Sequence, residues 1–281
     1  MQDARHSTAD SRPLPINLWG EAHAALMERD PDGKCAMADS LHLAWQAGEV
    51  SMLQEGGPAI SVEVPGRPDR PQLVEPRAVE QRSLGTLHGR AALIHALAHI
   101  EFNAINLALD AVYRFRDLPP DFSGDWLRVA AEEAYHYTLL RDHLRCLGYE
   151  YGDFSAHNGL WDMACKTAHD PLVRMALVPR LLEARGLDVT PGIRARLVAA
   201  GDTAAAEILD IVLRDEVGHV AIGNHWFGYL CMQRGKNAAE TFASLLAEYA
   251  GGRPKPPFNR QAREAAGFSA AEIDWLESGF M

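Results

Sequence analysis

Between Leu87 and Cys231 apolar side chains recur at three- and four-residue steps in four long segments, the pattern of amphipathic helices packed face to face. The first segment, Leu87 to Phe115, carries Ile94, Ala98, Ile105, Ala108, Leu109 and Val112 on one stripe and stops before Pro119-Pro120. The second is expected to open near Ser123 to Asp125, to present Trp126, Val129, Ala130, Tyr137, Leu140 and Leu144, and to close at Gly148. The third, around Leu172, Met175, Ala176 and Leu182, is expected to kink at Pro179 and end at Gly186, with Thr190-Pro191 starting a short extra helix to about Ala200. The fourth restarts at Gly201-Asp202 and runs through Leu209, Val212, Leu213, Val220 and Phe227 to Cys231. Strand signals are sparse, so the predicted fold class is all-α, built on a four-helix bundle.

The flanking sequence is expected to wrap this bundle. Short helices are predicted at Trp19 to Met27 and Ala36 to Ala47, followed by a turn-rich strap from Gly56 to Pro76 with prolines at 58, 65, 68, 71 and 76. After Gly235 come an amphipathic segment, Ala238 to Tyr249, a Gly-Gly-Arg-Pro-Lys-Pro-Pro linker and a helix capped near Ser269. The expected division is therefore 1–84 extension, 85–235 bundle and 236–281 helical tail. A composition of 47% apolar and 23% charged residues is that of a globular chain. The net charge of −11 repels phosphate backbones and disfavours a nucleic-acid partner. Cys35, Cys146, Cys165 and Cys231 form no CxxC pair, which fits a reducing cytoplasm. The N-terminal MQDARHSTADSRPLP has no apolar core of a signal peptide, and no stretch of about 20 apolar residues is read as a membrane span.

Each of the four stripes is interrupted by a glutamate: Glu101, Glu133, Glu183 and Glu216. Two of them continue as Glu-x-x-His, in Glu133-Ala-Tyr-His136 and Glu216-Val-Gly-His219. Three residues of helix turn through about 300° and rise about 4.5 Å, so both side chains of each pair address one point. Chance supplies about one such pair in a chain of this composition, so the motif alone is weak. The arrangement is what raises it, because Glu and then Glu-x-x-His occurs twice, each member on the inward stripe of a separate helix. Four ionised carboxylates in a dry bundle would each lose several kcal/mol of hydration and repel one another. Two divalent cations cancel the charge, and a set of four carboxylates and two imidazoles without thiolate suits iron or manganese. The six candidate ligands match the Glu and Glu-x-x-His set of di-metal carboxylate bundles.

The blocks HGRAALIHALAHIEFNAINLALDAVYRF (88 to 115), AAEEAYHYTLLRDHLRCLGYEYGDF (130 to 154), ALVPRLLEARGLDVTP (176 to 191) and EILDIVLRDEVGHVAIGNHWF (207 to 227) resemble the ferritin-like di-iron carboxylate superfamily. More closely, they are similar to the domain-of-unknown-function 455 family. The resemblance implies a ferritin-like four-helix fold with a non-haem pair of iron ions, or a mixed manganese/iron or manganese pair, on Glu101, Glu133, His136, Glu183, Glu216 and His219. It also implies a relation to tRNA-modifying di-iron hydroxylases. The leading functional expectation is an O₂-dependent oxidoreductase acting on a small molecule, with no membrane partner and a homodimer as the default assembly. Iron oxidation and storage ranks lower, because an 84-residue extension obstructs a closed shell. Peroxide dismutation on manganese, hydroxylation of tRNA and a metal-free interaction module are further alternatives. Asp215, Asp142 and Asp110 are candidates to orient the histidines, each weighed against a simple surface position. Tyr135 and Tyr137 flank His136 as relays or, in the favoured reading, as aromatic packing. His95 and His99 are expected to face away from the site, Arg180 to pair with a buried carboxylate, and Arg141, His143 and Arg145 to face solvent.

Overall fold

Two of the three longest helices begin where a side chain takes a free backbone N–H group. A computed structural model describes residues 15–53, 58–79 and 83–278. In chain order it contains β1 (Ile16–Asn17), α1 (Leu18–Met27), α2 (Pro31–Gln46), β2 (Val50–Ser51), α3 (Leu87–Arg114), α4 (Pro120–Cys146), α5 (Gly159–Lys166) and α6 (Pro171–Leu177). A π-helical turn (Val178–Glu183) leads into α7 (Ala184–Ala199), followed by α8 (Thr203–Gln233), α9 (Ala238–Tyr249), α10 (Arg260–Ala265) and α11 (Ala270–Glu277). The fold is all-α. Among the described residues the two strands are two residues each and pair in parallel, Ile16 with Val50 and Asn17 with Ser51.

Thr86 accepts from Gly89 N–H at the start of α3, and Asp202 accepts from Ala205 N–H at the start of α8. Helix α4 opens at Pro120 rather than near Ser123, because a proline at the first helical position lacks only an N–H that would have no partner there. Ser269 and Glu272 form a reciprocal capping box at α11, as its sequence position suggested. Helix α3 packs along α4, α7 along α8, and α4 and α6 against α8, which makes a helical bundle. By length and apolarity α3 could cross a membrane, contrary to the reading that no stretch was apolar enough. Most of that stretch is buried by its neighbours, and this packing accounts for its apolar character.

The third bundle helix differs most from expectation. It is not ended by Gly186, and Thr190-Pro191 does not start a new helix, since α6, the π turn and α7 run on from Pro171 to Ala199. Pro179 falls in the π turn, whose wider ring absorbs both its missing N–H and its bulk. Burial of Leu187, Thr190 and Leu197 overrides the local breaking signals of Gly186 and Pro191.

The N-terminal helices pack where expected, α1 on α3 and α2 on α4. Lys34 of α2 is buried and donates to the carbonyls of Ala25 and Leu26 at 2.9 and 2.7 Å, where α1 ends. Burial pushes its pKa down to about 7. The start of the strap at Gly56 lies outside the described residues, as do residues 1–14. From Pro58 onward the strap crosses the end of α1 backbone to backbone: Gly66 N–H donates to Leu26 O, and a Cβ on Gly66 would sit 2.1 Å from Met27 O. It is then tied to the connection between α4 and α6, with Trp161 Nε1 donating to Glu63 O and Val74 N–H to Ala156 O.

Two histidines of α3 are buried in this connection, on another side of the helix from Glu101. His95 Nε2 accepts from Gly152 N–H at 2.9 Å, and His99 lies between the Tyr151 hydroxyl and His157 O. Burial lowers both pKa values from 6.5 to about 4. Between those values the unfolded chain binds more protons than the folded one, so folding stability falls as pH drops through 6.5 towards 4. Urea unfolding at pH 7, 6 and 5 is expected to give a falling midpoint, with His95→Gln flattening the slope. A slope unchanged by that substitution would contradict the assignment.

Candidate metal centre

Periodicity places Glu101 on α3, Glu133 and His136 on α4, Glu183 at the end of the π turn, and Glu216 and His219 on α8. Glu101, Glu133, His136 and Glu216 are buried, and each offers one ligand atom within 4.8 Å of the others. His136 Nδ1 lies 3.4 Å from Glu133 Oε2 and 3.5 Å from Glu101 Oε2. His219 Nδ1 lies 3.0 Å from Glu133 Oε1 and 3.7 Å from Glu216 Oε1. Glu133 thus stands between two imidazoles whose ring centres are 5.8 Å apart. Glu183 falls outside the tightest group but feels the charges of Glu216 and Glu133.

The outer edges of the two imidazoles meet carboxylates as well. His136 Nε2 is 3.1 Å from Asp215 Oδ2, and His219 Nε2 is 2.7 Å from Glu132 Oε2. An ionised carboxylate only accepts, so Nε2 of each ring donates outward and Nδ1 is the ring atom that faces the centre. The two contacts are crossed. The acid preceding Glu133 holds the histidine of α8, and the acid preceding Glu216 holds the histidine of α4. Of the other orienting candidates, Asp142 is a surface residue paired with Arg141 and Arg145. Asp110 is fully buried but away from the cluster, held by Arg114 and Arg174.

Electrostatics couple the carboxylates and imidazoles of the cluster tightly to one another. Burial, then the neighbouring Glu133 charge, holds Glu101 well above the usual carboxylate range. Burial, then Glu216 and Glu133, does the same to Glu183, and burial with Glu133 raises Glu216. Glu133 alone is held down: burial opposes its charge, but His219 and hydrogen bonds from Glu101, His136 and His219 prevail. Burial would depress His136, yet hydrogen bonds to Glu101 and Glu133 raise it to about 11. His219 is likewise driven up against burial by Glu133 and Glu132. Protons are the only compensating cations that the side chains themselves supply, and a metal ion compensates in the same place.

The fit to metal rests on atoms that lack a well-aligned partner. Among the described residues, Glu101 Oε2, Glu133 Oε1, Glu183 Oε2, Glu216 Oε2 and His219 Nδ1 are buried without a well-aligned hydrogen bond, and they face one another, His219 Nδ1 standing 3.0 Å from Glu133 Oε1. Buried polar groups of folded proteins are overwhelmingly paired. Five such atoms on five of the six expected residues, all oxygen or imidazole nitrogen, are the donor set of a hard or borderline divalent cation.

A family model covers residues 27–274. The chain belongs to the family described as Protein of unknown function (DUF455). This DUF455 chain is also 47% identical over 274 residues, 94% of each chain, to an uncharacterized protein of Haemophilus influenzae (strain ATCC 51907 / DSM 11121 / KW20 / Rd). No solved structure matches it.

Several surrounding residues depart from their expected places in the DUF455 chain. Glu132 was not anticipated, although an acid directly before each Glu-x-x-His was visible as Glu132 and Asp215. Tyr135 is about half exposed, whereas Tyr137 packs on Phe102 and Tyr151, which supports the packing reading. Arg180 pairs with Glu272 at 2.6 Å. Arg141 and His143 do not face solvent, because Asp32 of α2 and Asp202 before α8 cover them, while Arg145 remains half exposed. All four cysteines are free thiols.

Proposed function

We propose that the six residues Glu101, Glu133, His136, Glu183, Glu216 and His219 hold two divalent metal ions, iron or a manganese-containing pair. The protein is then a ferritin-like, O₂-dependent oxidoreductase acting on a small molecule in the cytoplasm. The observation that carries this reading is the buried convergence of Glu101, Glu133, His136 and Glu216, each with a ligand atom within 4.8 Å of the others. When bound, such a pair supplies the capacity to bind O₂ and drive oxidation of a nearby substrate.

The chain's own contribution is orientation, charge and dryness. Glu133 lies between the two imidazoles and is placed to bridge. Asp215 and Glu132 accept the Nε2 protons of His136 and His219, which fixes each ring with Nδ1 inward and makes it a better donor. Against its partial burial, hydrogen bonds from Arg214 and His136 keep Asp215 ionised below the usual carboxylate range. The fully buried Glu133, His136 and His219 exclude bulk water from the centre.

A direct test is anaerobic loading with ferrous iron followed by exposure to O₂. Oxygen uptake in proportion to bound iron, with Mössbauer signals passing from ferrous to coupled ferric ions, is the expected result. Bound iron that stays ferrous in air would contradict the oxidative reading. Asp215→Asn keeps an oxygen that can accept the His136 proton but removes the negative charge that strengthens the bond, and is expected to weaken metal affinity by about tenfold without unfolding the bundle. Competition with a chelator measures this, and unchanged affinity would remove Asp215 from the account.

A further inference from the structure

Resting on the di-metal reading, we propose that Arg180 and Glu272 are positioning residues of the metal centre. Through this pair the C-terminal helices brace the π turn and so place Glu183 on its ion. A single π turn is a rare form of helix, and its geometry is maintained by what packs around it. Glu183 is the last residue of the turn, and Arg180 stands three residues before it. One side of the turn is held by α8, where Pro179 lies against Gly223. The other side is held by the tail.

The Arg180 guanidinium is 5% exposed and lies 4.4 to 4.8 Å from the ring centres of Phe227 of α8, Phe242 of α9 and Phe268 before α11. Its Nη2 donates to Glu272 Oε1 at 2.6 Å. Glu272 is itself fixed by Ser269, whose N–H and hydroxyl donate to Oε2 at 3.0 and 2.9 Å. Without the Glu272 charge a buried cation is left among three rings with its anion gone, a state costly enough to drive the side chain towards water. The turn that carries Arg180 moves with it, and Glu183 ends that turn.

The tail also grips the chain just after Glu183. Arg185 donates to Lys255 O and Pro257 O at 2.8 and 3.0 Å, and Asn259 Nδ2 donates to Leu187 O at 3.1 Å. Arg263 donates to both oxygens of Asp188, at 2.9 and 2.7 Å, in a buried fork. Contacts with residues 255–272 therefore fall at 180 on one side of Glu183 and at 185, 187 and 188 on the other. Arg263 lies 4.9 Å from the Phe268 ring, so the two buried arginines share one aromatic face of the tail. Within the cluster Glu183 meets the charges of Glu216, Glu133 and His219, which assigns it to the ion on the His219 side. His136 with Glu101 serves the other ion.

Anaerobic titration of the full-length protein with enriched ferrous iron, read by Mössbauer spectroscopy, tests the brace. The unsubstituted protein is expected to take up two ions per chain. Glu272→Gln should weaken the ion on the His219 side by about tenfold or more and leave the other within about twofold. The spectrum of a coupled pair after O₂ exposure should then give way to that of a single ion. Glu277→Gln breaks the 2.8 Å ion pair with Arg260 on the same helix and controls for a general loosening of the tail, so both ions should stay. Phe242→Leu removes one ring from around Arg180, should weaken the same ion, and serves if Glu272→Gln does not fold. Amide hydrogen exchange of the metal-free protein gives a readout that needs no metal: Glu272→Gln should speed exchange in 178–188 and leave 130–140 of α4 unchanged. Unaltered affinity for both ions in Glu272→Gln, or an equal loss in Glu277→Gln, would overturn the proposal. An unsubstituted protein that binds no pair of ions, with exchange responding as expected, sinks only the di-metal reading. Two ions bound equally with and without the Glu272 charge sink only the brace.

Discussion

Replacing Glu133 with alanine is expected to reduce bound metal from two ions per chain to none, while the bundle remains helical. Glu133 is the residue whose two oxygens reach both imidazoles, at 3.4 Å to His136 Nδ1 and 3.0 Å to His219 Nδ1. It is also the one carboxylate that its surroundings hold ionised. Removing it takes away the charge that draws cations to both positions and leaves each imidazole with a single, more distant carboxylate, Glu101 for His136 and Glu216 for His219. Replacing Tyr135, next to the same histidine but half exposed, should leave metal content unchanged. Elemental analysis after iron-supplemented expression, with far-ultraviolet circular dichroism as a folding check, decides the matter. Full metal occupancy in Glu133→Ala would remove it from the centre.

The second large effect is expected at a residue that touches no metal. Gly223 lies one helical turn beyond His219, and a Cβ there would sit 2.2 Å from Pro179 Cβ and 2.4 Å from Pro179 Cγ. The proline ring is rigid and belongs to the π turn that ends in Glu183, so the close approach of the two backbones sets where Glu183 stands. Gly223→Ala must push the π turn off α8. Alanine's better helix propensity, about 1 kcal/mol, acts in the opposite direction. The overpacking cost of about 1–3 kcal/mol is expected to outweigh it and to lower the melting temperature by a few degrees. The displacement of Glu183 should also reduce metal content from two ions towards one. Gly228→Ala, on the same helix with nothing within 4 Å of its added Cβ, is the control and should be neutral or stabilising. Two ions retained in a more stable Gly223→Ala protein would show that Pro179 gives way and that the contact positions nothing.

These expectations indicate what the sequence made legible. The inward glutamates and histidines could be read because helical periodicity alone decides which side of a stripe they occupy. Glu132 could not, since one residue of helix turns a side chain by about 100° and a neighbour of Glu133 reads as solvated until α8 packs beside it. The same holds for Arg141 and His143, whose acidic partners come from α2 and from the cap of α8. The third helix was read as broken because Pro179, Gly186 and Pro191 are local signals, and local signals lose to burial and to a π turn whose i to i+5 bonding leaves no sequence period. Helices α5 and α10 passed unnoticed because eight and six residues are too few to establish a stripe.

The central claim is that two cations lie side by side among Glu101, Glu133, His136, Glu183, Glu216 and His219. Anomalous diffraction at the iron edge from crystals of the iron-loaded protein measures this directly. Two peaks about 3.5–4 Å apart, each in contact with Glu133 and with one histidine Nδ1, are predicted. A single surface peak, or none between α4 and α8, would contradict it.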